Sequence, residues 1–383
     1  MKISRRRFSQ LLLGLLATPD IAISSAIVGG QSKVNPAPDF YASAAKGKDN
    51  QYYLQVIDNL GRQVKHLALP ARAHQVIAHP YYPWLLVVAR RPGYYIKVFD
   101  YQEGVTRFEI ESKAGYHFYG HAVFSPDGRF LVTTEHHIAK GHGRLVMRDA
   151  EKGFVEVADY PSYGIGPHQL SFLSDQQTLV VANGGILTHP DRGREKLNLD
   201  TMEPSLDYID FKSGALLEKQ TLAKELHQLS IRHLAVNNTD QVVAVMQYQG
   251  GKMDNPPLVA THRRGEDIRL LAAPETVNRS MKQYCGSVSI DTTGSFAAVS
   301  SPRGNIVTIW DIDAGKYVNH FGCSDGCGIA TAGTGGFMIS TGTGRFYHYD
   351  LVTRSLTKKM LDISSSVSWD NHLTAITTAI IKA

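Results

Sequence analysis

Five histidines occupy corresponding places in a repeated sequence pattern, and their type suits them to bind a metal. Each begins a short run rich in β-forming residues, such as His-Gln-Val-Ile-Ala and His-Leu-Ala-Val-Asn. The five are His74, His121, His168, His233 and His372. Imidazole is a common ligand of zinc, copper and iron, so rings that converge on one axis would bind a transition metal without a local motif. We expect copper or iron rather than calcium, which prefers oxygen ligands. The alternative is that each histidine only hydrogen-bonds a neighbouring repeat.

A second group of polar residues falls mainly between the second and third strands of the repeats. Its members are Glu135, Asn183, His189, Asp191, Arg192, Arg194, Gln247 and Arg303. Guanidinium groups match carboxylate and phosphate geometry, so the three arginines predict an anionic ligand, with solvated loop charge as the alternative. A lactonase-type hydrolase would use Glu135 or one of the five histidines as general base. No Gly-x-Ser-x-Gly elbow, phosphate loop or dinucleotide fingerprint accompanies them, so we expect a binding protein rather than an enzyme.

These residues need an architecture that gathers distant repeats around one axis. Helical periodicity is scarce, whereas short β-rich runs bounded by Asp-Gly, Ser-Gly or Asn turns recur along the chain. The clearest copy runs from Gly120 to Thr134 as a strand, a tight Asp-Gly turn and a second strand. Seven copies start roughly 42 to 65 residues apart, close to the spacing of a four-stranded propeller blade. The sequence therefore predicts an all-β, seven-bladed β-propeller of the YVTN or WD40-like kind.

The two ends of the chain are predicted to share one blade. Residues from about Phe40 to Leu69 supply its later strands, and the segment near His372 supplies its first strand. Such closure removes unpaired sheet edges. The longest interval between repeats contains an insertion from Ile186 to Pro204. Segments of that length without strands are usually functional in a compact domain.

The N-terminal segment has the features of a twin-arginine export signal. Ser4 to Phe8 reads Ser-Arg-Arg-Arg-Phe, and the apolar run that follows meets Pro19 too early to span a membrane. We predict export to the periplasm and no transmembrane segment in the mature protein. The predicted boundaries are a signal peptide at residues 1–26, a linker at 27–39 and the propeller at 40–383.

Composition and cysteine content limit the alternatives. With 43% hydrophobic residues the chain is too apolar to be disordered. More than half of the net charge of +5 lies in the first 26 residues, so the charge does not imply nucleic-acid binding. Three cysteines, Cys285, Cys323 and Cys327, permit at most one internal disulfide, whose pairing stays open. They are expected to form a structural disulfide or to be inert thiols, because no second cysteine pair completes a zinc-site pattern.

Several motifs occur together with the export signal. They are Phe124-Ser-Pro-Asp-Gly128, Gly166-Pro-His168, Val181-Ala-Asn-Gly-Gly185, the stretch 196–206, Arg232-His-Leu-Ala235 and Ser301-Pro-Arg-Gly304. This combination resembles a bacterial family of exported propeller proteins of unknown function. Its members tend to be encoded beside imelysin-type peptidases and di-haem peroxidase-like proteins, so the resemblance implies periplasmic handling of iron or a related metal. It supplies no catalytic residues, and Gln169 stands where the family would be expected to carry an acidic residue.

The sequence thus predicts a periplasmic, monomeric propeller whose histidine-rich face binds a transition metal, iron or copper. Periplasmic metal-handling proteins are its expected partners. Two other functions stay open, an interaction scaffold without a metal and a propeller hydrolase of lactonase type.

Overall fold

Each repeat of the sequence folds into one antiparallel sheet, and the sheets follow one another in chain order. The computed structural model describes residues 39–333, 335–364 and 366–377. Within these residues the chain forms seven sheets, which confirms the predicted seven-bladed propeller. The predicted signal peptide at 1–26, and the predicted linker apart from Asp39, lie outside the described residues.

The strands are numbered in chain order. Three strands come first: β1 Phe40–Gly47, β2 Tyr52–Asp58 and β3 Gln63–Leu69. Blade 1 contains β4 Ala73–Ala78, β5 Trp84–Ala89, β6 Tyr95–Asp100 and β7 Val105–Glu111. Blade 2 contains β8 Tyr116–Phe124, β9 Phe130–His137, β10 His142–Asp149 and β11 Val155–Pro161. Blade 3 contains β12 Pro167–Phe172, β13 Thr178–Asn183, β14 Ser205–Asp210 and β15 Leu216–Thr221.

The second half of the chain continues this arrangement. Blade 4 contains β16 Leu229–Val236, β17 Val242–Tyr248, β18 Val259–His262 and β19 Arg269–Leu271. Blade 5 contains β20 Ser287–Ile290, β21 Phe296–Ser301, β22 Ile306–Asp311 and β23 Lys316–Gly322. Blade 6 contains β24 Gly326–Ala332, β25 Gly336–Thr341, β26 Phe346–Asp350 and β27 Ser355–Lys359. Blade 7 joins β28 Val367–Trp369 and β29 Thr374–Ile376 to β1, β2 and β3.

Helical segments are short. The described residues include one α-helix, α1 Glu275–Ser280. Five 3-10 turns accompany it: Ala150–Lys152, Pro190–Arg192, Leu199–Thr201, Lys224–Leu226 and Pro302–Gly304. None of the described helices is long and apolar enough to cross a membrane.

The first strand of each blade lies at the centre of the molecule. These strands contact one another in a closed circuit, from β4 through β8, β12, β16, β20, β24 and β29 back to β4. Burial follows from this position: the second strand of blade 1 is almost fully buried, whereas its fourth strand, β7, is largely exposed. Apolar side chains such as Trp310 and Tyr208 fill the spaces between neighbouring sheets. The core is therefore distributed between blades, and the axis is left for other side chains.

The two chain ends close the ring in one sheet. β1 pairs antiparallel with β28, where Ala45 lies opposite Trp369, and with β29, where Phe40 lies opposite Ile376. The C-terminal segment thus supplies the innermost strand, and residues 40–69 supply the outer three. This confirms the closure that the sequence predicts.

The three cysteines are free and buried. Burial raises the pKa of the Cys285 thiol to about 12 and that of Cys323 to about 11. Since the thiolate is the reactive form, burial disfavours reaction at these two thiols, which agrees with the expectation of inert thiols.

Candidate metal centre

The five repeat histidines meet on the central axis. Consecutive ring centroids are 4.4–4.9 Å apart in the closed sequence His74, His121, His168, His233, His372 and back to His74. Each of the five residues is at most 7% exposed. We call these five side chains the histidine ring. The structure therefore brings together the whole metal-binding set that the sequence predicts.

A local irregularity of the backbone positions the ring. In blades 1 to 4 the pairing between the first and second strands shifts register at or beside the histidine. The shifts lie between Ala73 and Val76, Phe118 and Ala122, Pro167 and Leu170, and Ile231 and His233. In blade 7 the first strand is interrupted between β28 and β29, around His372. A β-bulge redirects a side chain that regular alternation would place elsewhere, so these breaks release the histidines toward the axis.

Glycines provide the space that the ring needs. Blades 5 and 6 carry Gly286 and Gly328 where the other blades carry histidine. A Cβ on Gly328 would lie 2.7 Å from the backbone nitrogen of Leu373, next to His372. Gly120 has a φ of +101°, and a Cβ there would lie 2.9 Å from Cδ2 of His74. Both glycines therefore allow close approach of the segments that carry ring histidines.

The ring nitrogens form two groups of potential ligands that share His74. One group is His74, His121 and His168; the other is His74, His233 and His372. The ligand atoms within each group lie within 4.8 Å of one another. Nitrogens bound at about 2.1 Å from one ion are at most about 4.2 Å apart, so binding requires only a small contraction of the ring.

Several ring nitrogens are buried without a hydrogen-bond partner among the described residues. They are both nitrogens of His121, Nδ1 of His168 and Nε2 of His372. Leaving a buried polar group unsatisfied costs about 1–3 kcal/mol, so native proteins rarely retain several in one place without a reason. A metal ion at the axis would bind one nitrogen of each ring that faces it and so satisfy part of this set.

All five imidazoles are held in the neutral form. Burial lowers the pKa of His74 to about 4. Burial, reinforced by neighbouring cationic groups, lowers the pKa of His121, His168, His233 and His372 well below the ordinary histidine value. Because a metal binds only the neutral ring, the site is prepared for a metal near neutral pH.

Two side chains outside the ring fix the orientation of ring members. Nδ1 of His74 lies 3.4 Å from Oδ1 of Asp370, and Nδ1 of His233 lies 3.2 Å from Oε1 of Gln169. Each contact assigns the proton to Nδ1 and leaves Nε2 as the ligand atom. Arg72 in turn donates to Asp370 at 2.6 Å. Burial opposes ionisation of Asp370, but His74, Arg72 and Arg90 together hold its pKa well below the usual range.

A cavity of about 570 Å³ opens directly onto the ring. Its wall includes His74, His168 and His233, together with side chains from blade connections and from the insertion at 186–204. We call it the basic cavity, because seven of its lining residues carry a positive charge. They are Arg72, Arg90, Arg91, Arg194, Lys196, Arg232 and Arg303.

Comparison with known proteins identifies the family to which the chain belongs. A model of the family described as "Protein of unknown function (DUF1513)" matches residues 67–376. The chain belongs to this family. The matched part contains the whole histidine ring and all seven cations of the basic cavity. No curated protein matches the chain.

A solved structure shows the same fold as this DUF1513 protein. The chain is similar to a chain of Kuenenia stuttgartiensis hydrazine synthase, with a TM-score of 0.57 and 16% identity. The similarity covers 87% of this chain and 98% of that chain. At this identity the likeness shows the fold alone.

The second group of predicted site residues is divided between different environments in this DUF1513 protein. Arg194, Gln247 and Arg303 line the basic cavity. His189, Asp191 and Arg192 belong to the same insertion as Arg194 but are not part of the cavity wall; the side chain of Asp191 is 88% exposed and that of Arg192 is 60% exposed. The structure thus unites three of these eight residues with the ring.

The other two predicted residues are buried inside blades. Glu135 is fully buried, and its Oε1 lies 2.7 Å from Nη1 of Arg148. Burial raises the pKa of Glu135, and the guanidinium of Arg148 opposes that shift. Asn183 is also fully buried and donates hydrogen bonds to Asp207 and to the backbone carbonyl of Ser162. Neither lines the basic cavity.

Several residues of the site are absent from the sequence prediction. Asp370 and Gln169 orient ring histidines, and Arg90, Arg91 and Arg232 line the cavity. A sequence signal exists for Gln169. The pair His-Gln occurs in two repeats, and the glutamine of each pair accepts a hydrogen bond from a backbone N–H in the next blade. These contacts are Gln75 with Ala122 at 2.9 Å and Gln169 with Leu234 at 3.4 Å.

Proposed function

We propose that this protein binds one transition metal ion at the histidine ring and serves metal handling in the periplasm. One observation carries the proposal: five neutral imidazoles lie together on the axis, with several nitrogens buried and unpartnered. A purely structural role would pair those nitrogens with a neighbouring blade. Nδ1 of His74 and Nδ1 of His233 are paired in this way. Both nitrogens of His121, Nδ1 of His168 and Nε2 of His372 have no such partner among the described residues.

The donor set favours a transition metal, of which copper and iron are the expected candidates. All five donors are imidazole nitrogens, which suit copper, iron, nickel and zinc, whereas magnesium and calcium prefer oxygen ligands. The family resemblance favours iron, and the ligand types alone favour neither. Periplasmic location rests on the twin-arginine pattern at Ser4 to Phe8. Partners that deliver or accept the metal in that compartment belong to the same proposal.

Metal content of the purified protein tests the proposal. The protein is expressed with its leader, recovered from the periplasmic fraction and analysed by inductively coupled plasma mass spectrometry. We expect close to one equivalent of metal in the parent and a loss of most of it in the double variant His121→Ala/His168→Ala. His189→Ala is the matched control, because this histidine lies in the insertion outside the ring.

Folding of the variants is measured alongside. Circular dichroism and gel filtration identify a variant that does not fold, and His121→Gln/His168→Gln then replaces the alanine pair. Equal metal content in a folded ring variant and the parent would contradict the site. Absence of metal from the parent, both as purified and after incubation with copper or iron, would leave the scaffold function. Recovery of the protein only from the cytoplasm would contradict the location.

A further inference from the structure

The basic cavity has many more cationic side chains than neighbouring carboxylates to neutralise them. Seven cationic side chains line it, and none of its lining residues is aspartate or glutamate. Asp370 lies next to the cavity and forms ion pairs with Arg72 at 2.6 Å and with Arg90 at 3.5 Å. One carboxylate therefore serves two of the seven cations.

The other five cations have no ion pair within the described part of the chain. Arg91 donates to the hydroxyl of Thr188, and Lys196 donates to the side-chain amide of Gln249. Arg303 lies over the ring of Tyr284, with 4.3 Å from its guanidinium carbon to the ring centroid. Nε of Arg232 is buried and has no hydrogen-bond partner among the described residues. These contacts are neutral, so they hold the side chains in place without compensating their charge.

Mutual repulsion is expected among these groups, because they share one partly desolvated cleft. Burial lowers the pKa of Lys196, and the nearby charges of Arg303 and Arg232 contribute to the decrease. Collecting like charges in a partly desolvated cleft is unfavourable unless an anion is bound there at least part of the time.

We propose that the basic cavity binds a small polyanion that carries two or more carboxylate or phosphate groups. Planar guanidinium groups bind both kinds of oxyanion through paired hydrogen bonds, and the five unpaired cations provide donors for more than one such group. The volume of about 570 Å³ lies within the range of small-molecule sites, about 300–1,000 Å³, and is too small for a folded partner.

A polyanion in the basic cavity would lie beside the histidine ring. His74, His168 and His233 form part of the cavity wall, so an oxyanion held by the arginines lies against the ring. An oxygen of the bound polyanion could then complete the coordination of a metal. This part rests on the proposed function, whereas binding of the polyanion to the cations does not.

Isothermal titration calorimetry of the metal-free full-length protein tests the proposal. The probes are tricarballylate, which carries three carboxylates, and inorganic pyrophosphate, with acetate as the single-charge control. We expect at least one polyanion to bind at low ionic strength with an affinity at least tenfold above that of acetate. Binding is expected to weaken as salt is added, because the interaction is between charges.

Two arginines of the insertion provide a matched pair. Arg194 lines the cavity, whereas Arg192, two residues earlier, is outside it and pairs with Glu195 at 3.6 Å. Arg194→Gln and Arg303→Gln are each expected to weaken polyanion binding about tenfold or more, since a hydrogen bond between charged groups is lost. Arg192→Gln is expected to bind like the parent.

The outcomes separate the two proposals. Tricarballylate binding alone identifies a carboxylate ligand, and pyrophosphate binding alone identifies a phosphate ligand. No binding of either probe at millimolar concentration, or equal weakening by Arg192→Gln and Arg194→Gln, would overturn the polyanion site. If the polyanion binds and no metal is found, only the proposed metal function fails. If metal is found and neither polyanion binds, only the present inference fails.

Discussion

At the scale of single residues, the site depends on a division of roles between nitrogens of the same ring. Nδ1 of His74 and of His233 points to a protein acceptor, and Nε2 is left for the axis. Among the described residues, neither nitrogen of His121 has a hydrogen-bond partner. The ring therefore combines histidines whose orientation is fixed by a side chain outside the ring with one that no hydrogen bond holds.

Asp370 is the residue through which this division can be tested. Replacing it with asparagine removes the negative charge that Arg72 and Arg90 share, while the side-chain volume stays similar. Loss of a carboxylate partner of a ligating histidine commonly lowers metal affinity about 10- to 100-fold. We expect Asp370→Asn to do so in a competition titration against a chromogenic chelator.

Asp191→Asn is the control for that titration, because this carboxylate is 88% exposed and lies outside the cavity wall. Its metal affinity is expected to equal that of the parent. An Asp370→Asn protein that folds and keeps the parent affinity would show that His74 does not need its carboxylate.

At the scale of strands and turns, the histidine ring is positioned by register shifts between strands rather than by regular strand pairing. A regular strand alternates its side chains between two faces, whereas the shifts in blades 1 to 4 break this alternation at or beside the ring histidines. Gly120 belongs to one of these shifts, between Phe118 and Ala122. Gly120 has a positive φ and leaves no room for a Cβ beside His74. The local geometry of blade 2 therefore depends on this residue.

Gly120→Ala is expected to destabilise the protein and to weaken metal binding. The new methyl group would meet the His74 ring at 2.9 Å, and alanine rarely adopts a φ of +101°. We expect the free energy of unfolding in urea to fall by about 1–3 kcal/mol. Metal affinity, measured by the same chelator competition, is expected to fall as His74 is displaced.

Gly115→Ala separates backbone strain from displacement of the ring. Gly115 also has a positive φ, +79°, but a Cβ there has no neighbour within 4 Å. This variant is expected to lose stability from strain and to keep its metal affinity. Equal losses of metal affinity in both variants would indicate that contact with His74 is not the cause.

The sequence predicts the features that follow from local signals, but not those that depend on strand register or on loop packing. Asp-Gly turns and alternating β-rich runs are local signals, so the blade count and the shared closing blade follow from the repeat. Convergence of the histidines follows as well, because equal positions in a ring of blades face one axis. The pairing of Glu135 with Arg148 depends on register between β9 and β10, which composition does not determine. The cations of the basic cavity come from separate connections whose paths depend on packing, so Arg90, Arg91 and Arg232 were missed.

At the scale of the whole molecule, ring closure connects the ends of the chain to the metal centre. His372 lies between β28 and β29, the two short strands that close the ring against β1. The hydroxyl of Ser43 in β1 donates to the backbone carbonyl of His372 at 2.5 Å. Formation of the fifth corner of the histidine ring therefore requires the closed propeller, and metal binding is expected to stabilise that closed state.

Acid stability depends on the five blades that carry the ring histidines. In the unfolded chain each histidine titrates near its ordinary pKa of about 6.5, whereas burial keeps the folded pKa lower, at about 4 for His74. Between these values the unfolded chain binds more protons, so the free energy of unfolding must decrease as pH falls from about 6.5 toward 4. Each histidine that stays neutral contributes about 1.4 kcal/mol per pH unit over that window.

Urea unfolding of metal-free protein at pH 7, 6 and 5 measures this dependence. The parent is expected to be most stable at pH 7 and to lose stability steeply between pH 6 and 5. The double variant His121→Leu/His168→Leu lacks two of the buried imidazoles, so its pH dependence is expected to be shallower by about two such contributions. His189→Ala keeps the ring intact and is expected to retain the slope of the parent. A parent protein with equal stability at pH 7 and pH 5 would mean that the ring histidines accept protons without unfolding, and that they are not held neutral by burial at the axis.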